Sequence, residues 1–80
     1  MVVMSDRLAH AFRENVRRRM QQLNVSQVEL AEKLGVTQPH VSLMLNGKRN
    51  PGLESLEKFA DALETTAAKL LDETRLQKSA

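Results

Sequence analysis

Apolar residues recur every three or four positions from Leu8 through Phe12, Val16, Met20 and Leu23, which predicts an amphipathic helix over about Asp6 to Leu23. Asn24-Val25 breaks that pattern. Ser26-Gln27-Val28-Glu29 then has the form of a capping box, in which the Ser26 hydroxyl accepts from the Glu29 N–H and the Glu29 carboxylate reaches back to the Ser26 N–H. The helix so started keeps Leu30, Ala31 and Leu34 on one face and ends at Gly35, the residue best suited to the left-handed conformation that closes a helix. Thr37 is the next N-cap, and Val41, Met44 and Leu45 share a face behind it. Pro39 falls in the first turn of this third helix, where a missing N–H costs little. Residues 46–52, Asn-Gly-Lys-Arg-Asn-Pro-Gly, are the densest run of turn formers and predict a loop. Leu53, Leu56, Phe59, Ala60 and Leu63 mark a fourth helix. Thr65-Thr66 offers a cap for a fifth, with Ala67, Leu70, Leu71 and Leu76 as its stripe.

The expected architecture is therefore all-α: one compact five-helix domain over residues 1–80, with a flexible N-terminal arm at 1–5 and a C-terminal tail at 76–80. Composition agrees, since 41% apolar and 28% charged residues describe a folded chain. Eighty residues leave little room for a deep substrate cavity. No Cys is present, so neither a disulfide framework nor a thiolate metal site is available. His10 and His40 have no acidic or thiol neighbour at metal spacing, there is no Gly-rich phosphate loop, and Ser42 lies only two residues from His40, on a diverging helix face. No enzyme activity and no cofactor are expected. No apolar run is long enough to cross a bilayer, and Met1-Val2-Val3-Met4 runs straight into Ser5-Asp6-Arg7 without a signal-peptide pattern, so a cytoplasmic, nucleoid-associated protein is expected. Phe12 and Phe59 are the only aromatics, which disfavours the stacking platforms of single-strand and RNA binders.

The net charge of +2 conceals a gradient: residues 1–25 carry +3, residues 26–50 carry +1 and residues 51–80 carry −2. An anionic partner would face the N-terminal two thirds. Two short helices joined through Gly35-Val36 into Thr37 cannot lie antiparallel, and a Gly-containing connection of this length is the signature of a helix-turn-helix. Small Ala31 at the approach of the helices, with Leu30, Leu34, Val41 and Met44 facing a shared core, agrees with that geometry.

The run Ser26-Gln27-Val28-Glu29-Leu30-Ala31-Glu32-Lys33-Leu34-Gly35-Val36-Thr37-Gln38-Pro39-His40-Val41-Ser42 resembles the phage-repressor-like, or Cro/CI and XRE-type, helix-turn-helix family. Asn46 to Pro51 and Leu53-Glu54-Ser55-Leu56 extend the likeness, which covers about Val16 to Leu71. The resemblance implies a five-helix, lambda-repressor-like domain that binds operator DNA as a two-fold dimer and acts as a repressor-type regulator of transcription. It also implies a phosphate-contacting role for Gln27. One departure stands out: many members pair an Arg of the first helix with a Glu near the end of the recognition helix, whereas Met20 and Leu45 occupy those positions here, and an apolar contact is expected in place of the ion pair.

With Val41, Met44 and Leu45 turned inward, Gln38, Pro39, Ser42 and Leu43 point outward together. Gln suits adenine in a major groove, and Leu or a Pro ring suits thymine methyls, so these four are the candidate base readers. Gln27, Thr37, Asn46, Lys48 and Arg49 are the candidate phosphate contacts, with His40, Arg17 and Arg18 as secondary ones. A single recognition helix reads only a few base pairs, so a homodimer on two half-sites about 34 Å apart is expected. Leu70, Leu71 and Leu76 are its candidate interface, with the Met1 to Met4 arm as the alternative. The competing expectation is an antitoxin or accessory factor whose main partner is a protein, suggested by the apolar stripe in the acidic C-terminal third.

Overall fold

The computed structural model describes residues 6–73 of the chain. These form α1 (Asp6–Leu23), α2 (Gln27–Leu34), α3 (Gln38–Leu45), α4 (Leu53–Ala62) and α5 (Ala67–Leu70), with no strand among them. The longest helix, α1, lies under the others and lends the core Phe12, Val16 and Met20. Leu30 and Ala31 come from α2, Val41, Met44 and Leu45 from α3, and Leu56, Phe59 and Ala60 from α4, with Leu63 and Leu70 closing the far side. At its centre the ring edge of one phenylalanine meets the face of the other, Phe12 and Phe59 lying 5.1 Å apart at 81°. No described helix is long and apolar enough to cross a membrane.

Four helices end in the same way. At the ends of α1, α2, α3 and α4 the residues Asn24, Gly35, Gly47 and Glu64 take positive φ of 56°, 73°, 76° and 56°. In each case the next N–H bonds back to the carbonyl five residues before it: Val25 to Met20 (2.8 Å), Val36 to Ala31 (3.0 Å), Lys48 to Leu43 (2.9 Å) and Thr65 to Ala60 (2.9 Å). This pattern satisfies carbonyls that a helix end otherwise leaves open. In three cases an N-cap follows two residues after the left-handed one, in extended conformation: Ser26, Thr37 and Thr66. The chain thus uses one three-residue corner three times, between α1 and α2, α2 and α3, and α4 and α5. The capping box at Ser26 is present, with both reciprocal bonds at 3.1 Å.

The structure corrects three expectations from periodicity. Leu8 is 37% exposed, because the buried stripe of α1 enters through Ala9 and Ala11 instead and runs on through Phe12, Asn15 and Val16. Leu53 is 76% exposed, since it stands at the first position of α4, before that helix reaches the core. The fifth helix is a single turn ending at Leu70. Its last carbonyl is taken by α1: the buried Asn15 side-chain amide donates to Leu70 O and Asp72 O, both at 2.8 Å. A side chain thus supplies the donors that a longer helix would have provided.

Replacing Asn15 by Ala removes both bonds, the buried one to Leu70 O among them, and is expected to lower unfolding free energy by about 2 kcal/mol in urea titrations. Glu64 is the opposite case. A side chain in the left-handed region costs roughly 1 kcal/mol, so Glu64→Gly is expected to raise stability by about 0.5–1 kcal/mol in the same assay.

Candidate nucleic-acid interface

The corner at Gly35 sets α2 and α3 at an angle that brings their N-termini together. Gln27 is the first residue of α2 and Gln38 the first of α3. Their side chains meet, with Gln38 Nε2 donating to Gln27 Oε1 at 3.0 Å. Thr37, the α3 N-cap, accepts from the His40 N–H at 3.3 Å, which leaves its own hydroxyl proton free to donate. Behind this end, Val41, Met44 and Leu45 are buried, so the rest of α3 is turned to solvent. Gln38 and Pro39 are exposed, Leu43 is 43% exposed, and Ser42 and His40 are half-buried. The outward face is the one expected from the sequence.

The C-terminal end of α3 is held by α1. Arg17 Nη2 donates to Leu45 O at 2.7 Å and to Asn46 Oδ1 at 3.4 Å, and Asn46 Nδ2 donates in turn to Ser42 Oγ at 3.2 Å. One turn earlier on α1, Arg13 lies over Gly47 so closely that a side-chain carbon there would come within 3.3 Å of its guanidinium carbon. Gly47 therefore combines a left-handed backbone with a covered face. Cations at this helix end complement its dipole and its open carbonyls. Lys48 and Arg49 follow in the exposed loop, so basic groups collect beside the outward face.

The three consecutive arginines separate, as residues 100° apart on a helix must. Arg17 serves α3. Arg19 caps the end of α4, with Nε to Leu63 O at 2.8 Å and Nη2 to Glu64 O at 2.9 Å. Arg18 lines a cleft with Asn15, Gln22 and Lys69 between α1 and α5, and is not brought to the group around Gln27 and Gln38. Met20 and Leu45, where an ion pair is common, are both buried in the one core. Arg17 adds a polar tie that the sequence reading missed. Its main partner is a backbone carbonyl, which no sequence pattern marks.

Of the candidate interface residues, Leu70 is 2% exposed and belongs to the chain's own core. Leu71 is half-buried against that core. Leu76 and the Met1 to Met4 arm lie outside the described residues.

A model of the Helix-turn-helix family matches residues 16–70, more than half of the chain. Among solved structures the chain is similar to one titled as a hypothetical transcription factor, NHTF, from Neisseria. That likeness has 29% identity and a TM-score of 0.80, covering 98% of this chain and 94% of that one. No curated protein sequence matches. The matched residues include both short helices, the Gly35 corner and the core behind them, and the chain belongs to the XRE, or Cro/CI-type, helix-turn-helix family of DNA-binding transcription regulators.

Proposed function

We propose that this protein regulates transcription, in the manner of a repressor, by binding a specific duplex sequence with α3 in the major groove. The observation that carries the reading is the hydrogen bond between Gln27 and Gln38. It uses one of the two Gln38 amide protons and fixes which way the amide points. The second proton and Oε1 remain, and this donor and acceptor pair matches N7 and N6 of adenine. Gln27 keeps its own amide protons for a phosphate, beside the open N–H groups at the start of α2. Pro39 and Leu43 supply apolar contact for thymine methyls. Ser42 lies between them, and half-buried His40 stands at the edge of the face. Thr37, Lys48 and Arg49 would grip the flanking backbone.

A two-fold dimer on two half-sites about 34 Å apart gives such a small face enough sequence to read. Because Leu70 is committed to the core, the C-terminal apolar stripe available to a second copy or to another protein narrows, among the described residues, to Leu71. The alternative of a dedicated protein partner rests on the same stripe, of which Leu76 lies outside the described residues.

Selection of bound duplexes from a random library at near-physiological salt is expected to enrich a two-fold symmetric, A·T-containing motif. Enrichment no better than bulk DNA would refute the proposal. On that motif, Gln38→Ala is expected to cost about 1–3 kcal/mol per half-site and to relax specificity at one position. Lys48→Ala should instead weaken cognate and random duplexes alike and flatten the salt dependence, measured by titration over a range of salt concentrations.

A further inference from the structure

We propose that Arg13, lying over Gly47, is a DNA phosphate contact, by which α1 grips the backbone beside the groove that α3 enters. The proposal rests on the reading of α3 as the recognition helix. Arg13 stands one turn before Arg17 on α1, so the two side chains leave the same side of that helix. Their uses differ. Arg17 commits its guanidinium to Leu45 O and Asn46 Oδ1. Arg13 is packed against the next residue along, with its guanidinium carbon 3.3 Å, Nη1 3.4 Å and Nε 3.6 Å from the point where a Gly47 side chain would begin. The centre of the group is nearest and two of its nitrogens follow closely, so its flat face rests on the glycine and its N–H bonds, which lie in the plane of the group, point sideways. Among the described residues Arg13 makes no hydrogen bond or ion pair, and the one buried side-chain nitrogen without a partner belongs to Arg18. The donors of Arg13 are therefore unpaired and open to solvent, on a half-buried stem.

The surroundings decide what such a group takes. Lys48 and Arg49 follow Gly47 in the exposed loop, so four cations gather there: Arg13, Arg17, Lys48 and Arg49. Among the described residues the nearest acids in sequence, Glu14 and Glu54, pair with none of them. Like charges collected without a counter-charge repel one another in the free protein and draw in a polyanion. A guanidinium fork matches the two free oxygens of a phosphodiester. The position of the group supplies the rest, since Gly47 directly follows the cap of α3 and a phosphate held there lies beside the recognition helix. Gly47 thus serves as a seat as well as a corner: its missing side chain leaves the space in which Arg13 rests.

The test titrates the full chain with the duplex selected by the wild type and with a random duplex, over a range of salt concentrations, with thermal unfolding recorded for each variant. Arg13→Met, which keeps the packed stem, is expected to weaken binding to both duplexes about three- to tenfold at near-physiological salt. It should also lower the slope of log affinity against log salt by about one per protomer. Arg13→Lys keeps the charge and should restore the slope. Lys69→Met removes the same charge from the cleft between α1 and α5 and should leave the slope unchanged, which separates contact from net charge. Methylphosphonate substitution, one phosphate at a time along the selected duplex, locates the partner: in each half-site one neutralised phosphate should weaken the wild type and not Arg13→Met. An unchanged salt slope in folded Arg13→Met, or a methylphosphonate profile identical in the two proteins, overturns the proposal while α3 keeps its motif. Enrichment of no motif by the wild type overturns the reading of α3 instead, and the salt slope on the random duplex then still decides for or against Arg13.

Discussion

A helix of eight residues makes too few internal hydrogen bonds to persist in water, and the structure depends on how its short helices are closed at both ends. Both α2 and α3 are of that length. Each begins on a hydroxyl cap and ends on a left-handed residue whose neighbour returns to the last turn. Closing the ends does more than stabilise them. An extended cap two residues after a left-handed one turns the chain through a fixed corner, so the device that ends α2 also aims α3. The same corner recurs before α2 and before α5, which is how a single chain turns around its core without long loops.

The second element of the design is α1, which is long enough to hold both sides of the molecule. Its apolar stripe carries Phe12, Val16 and Met20 into the core. Flanking that stripe, Arg13 and Arg17 reach the end of α3, while Asn15 and Arg19 reach the ends of α5 and α4. Donors from one helix thus complete the carbonyls of three others. The consequence is that α3 is held at both ends: its N-terminus is joined to α2 through Gln38 and Gln27, and its C-terminus to α1 through Arg17. On the proposed reading, a face held in this way would meet a groove with its side chains already oriented, and less of the binding free energy would be lost in ordering them.

Much of this was legible in the sequence, for identifiable reasons. The capping box at Ser26, the glycine at 35 and the threonine at 37 each have a strong local signature, and the buried set Val41, Met44 and Leu45 follows from helical periodicity, so α2, α3 and the outward face could be read directly. The corner at Glu64 could not, because nothing in a glutamate announces a positive φ that the carbonyl contacts from Arg19 help to hold. Periodicity also misplaced the entry of α1 into the core at Leu8, because small Ala9 and Ala11, which a pattern of large apolar residues passes over, are the ones buried there. Asn15 and Arg17 were invisible as structural residues for a related reason. Their partners are backbone carbonyls, which every sequence possesses and no sequence pattern marks.

The central claim is that the paired glutamines at the start of α2 and α3 meet DNA together, one on a phosphate and one on a base. Its most direct measurement follows the side-chain amide resonances of Gln27 and Gln38 as a selected duplex is added. Both are expected to shift, and their amide protons to become protected from exchange with water, in step with saturation. Resonances of both glutamines that stay unmoved while those of Lys48 and Arg49 shift would contradict it, and would reduce the interaction to attraction between a basic loop and the DNA backbone.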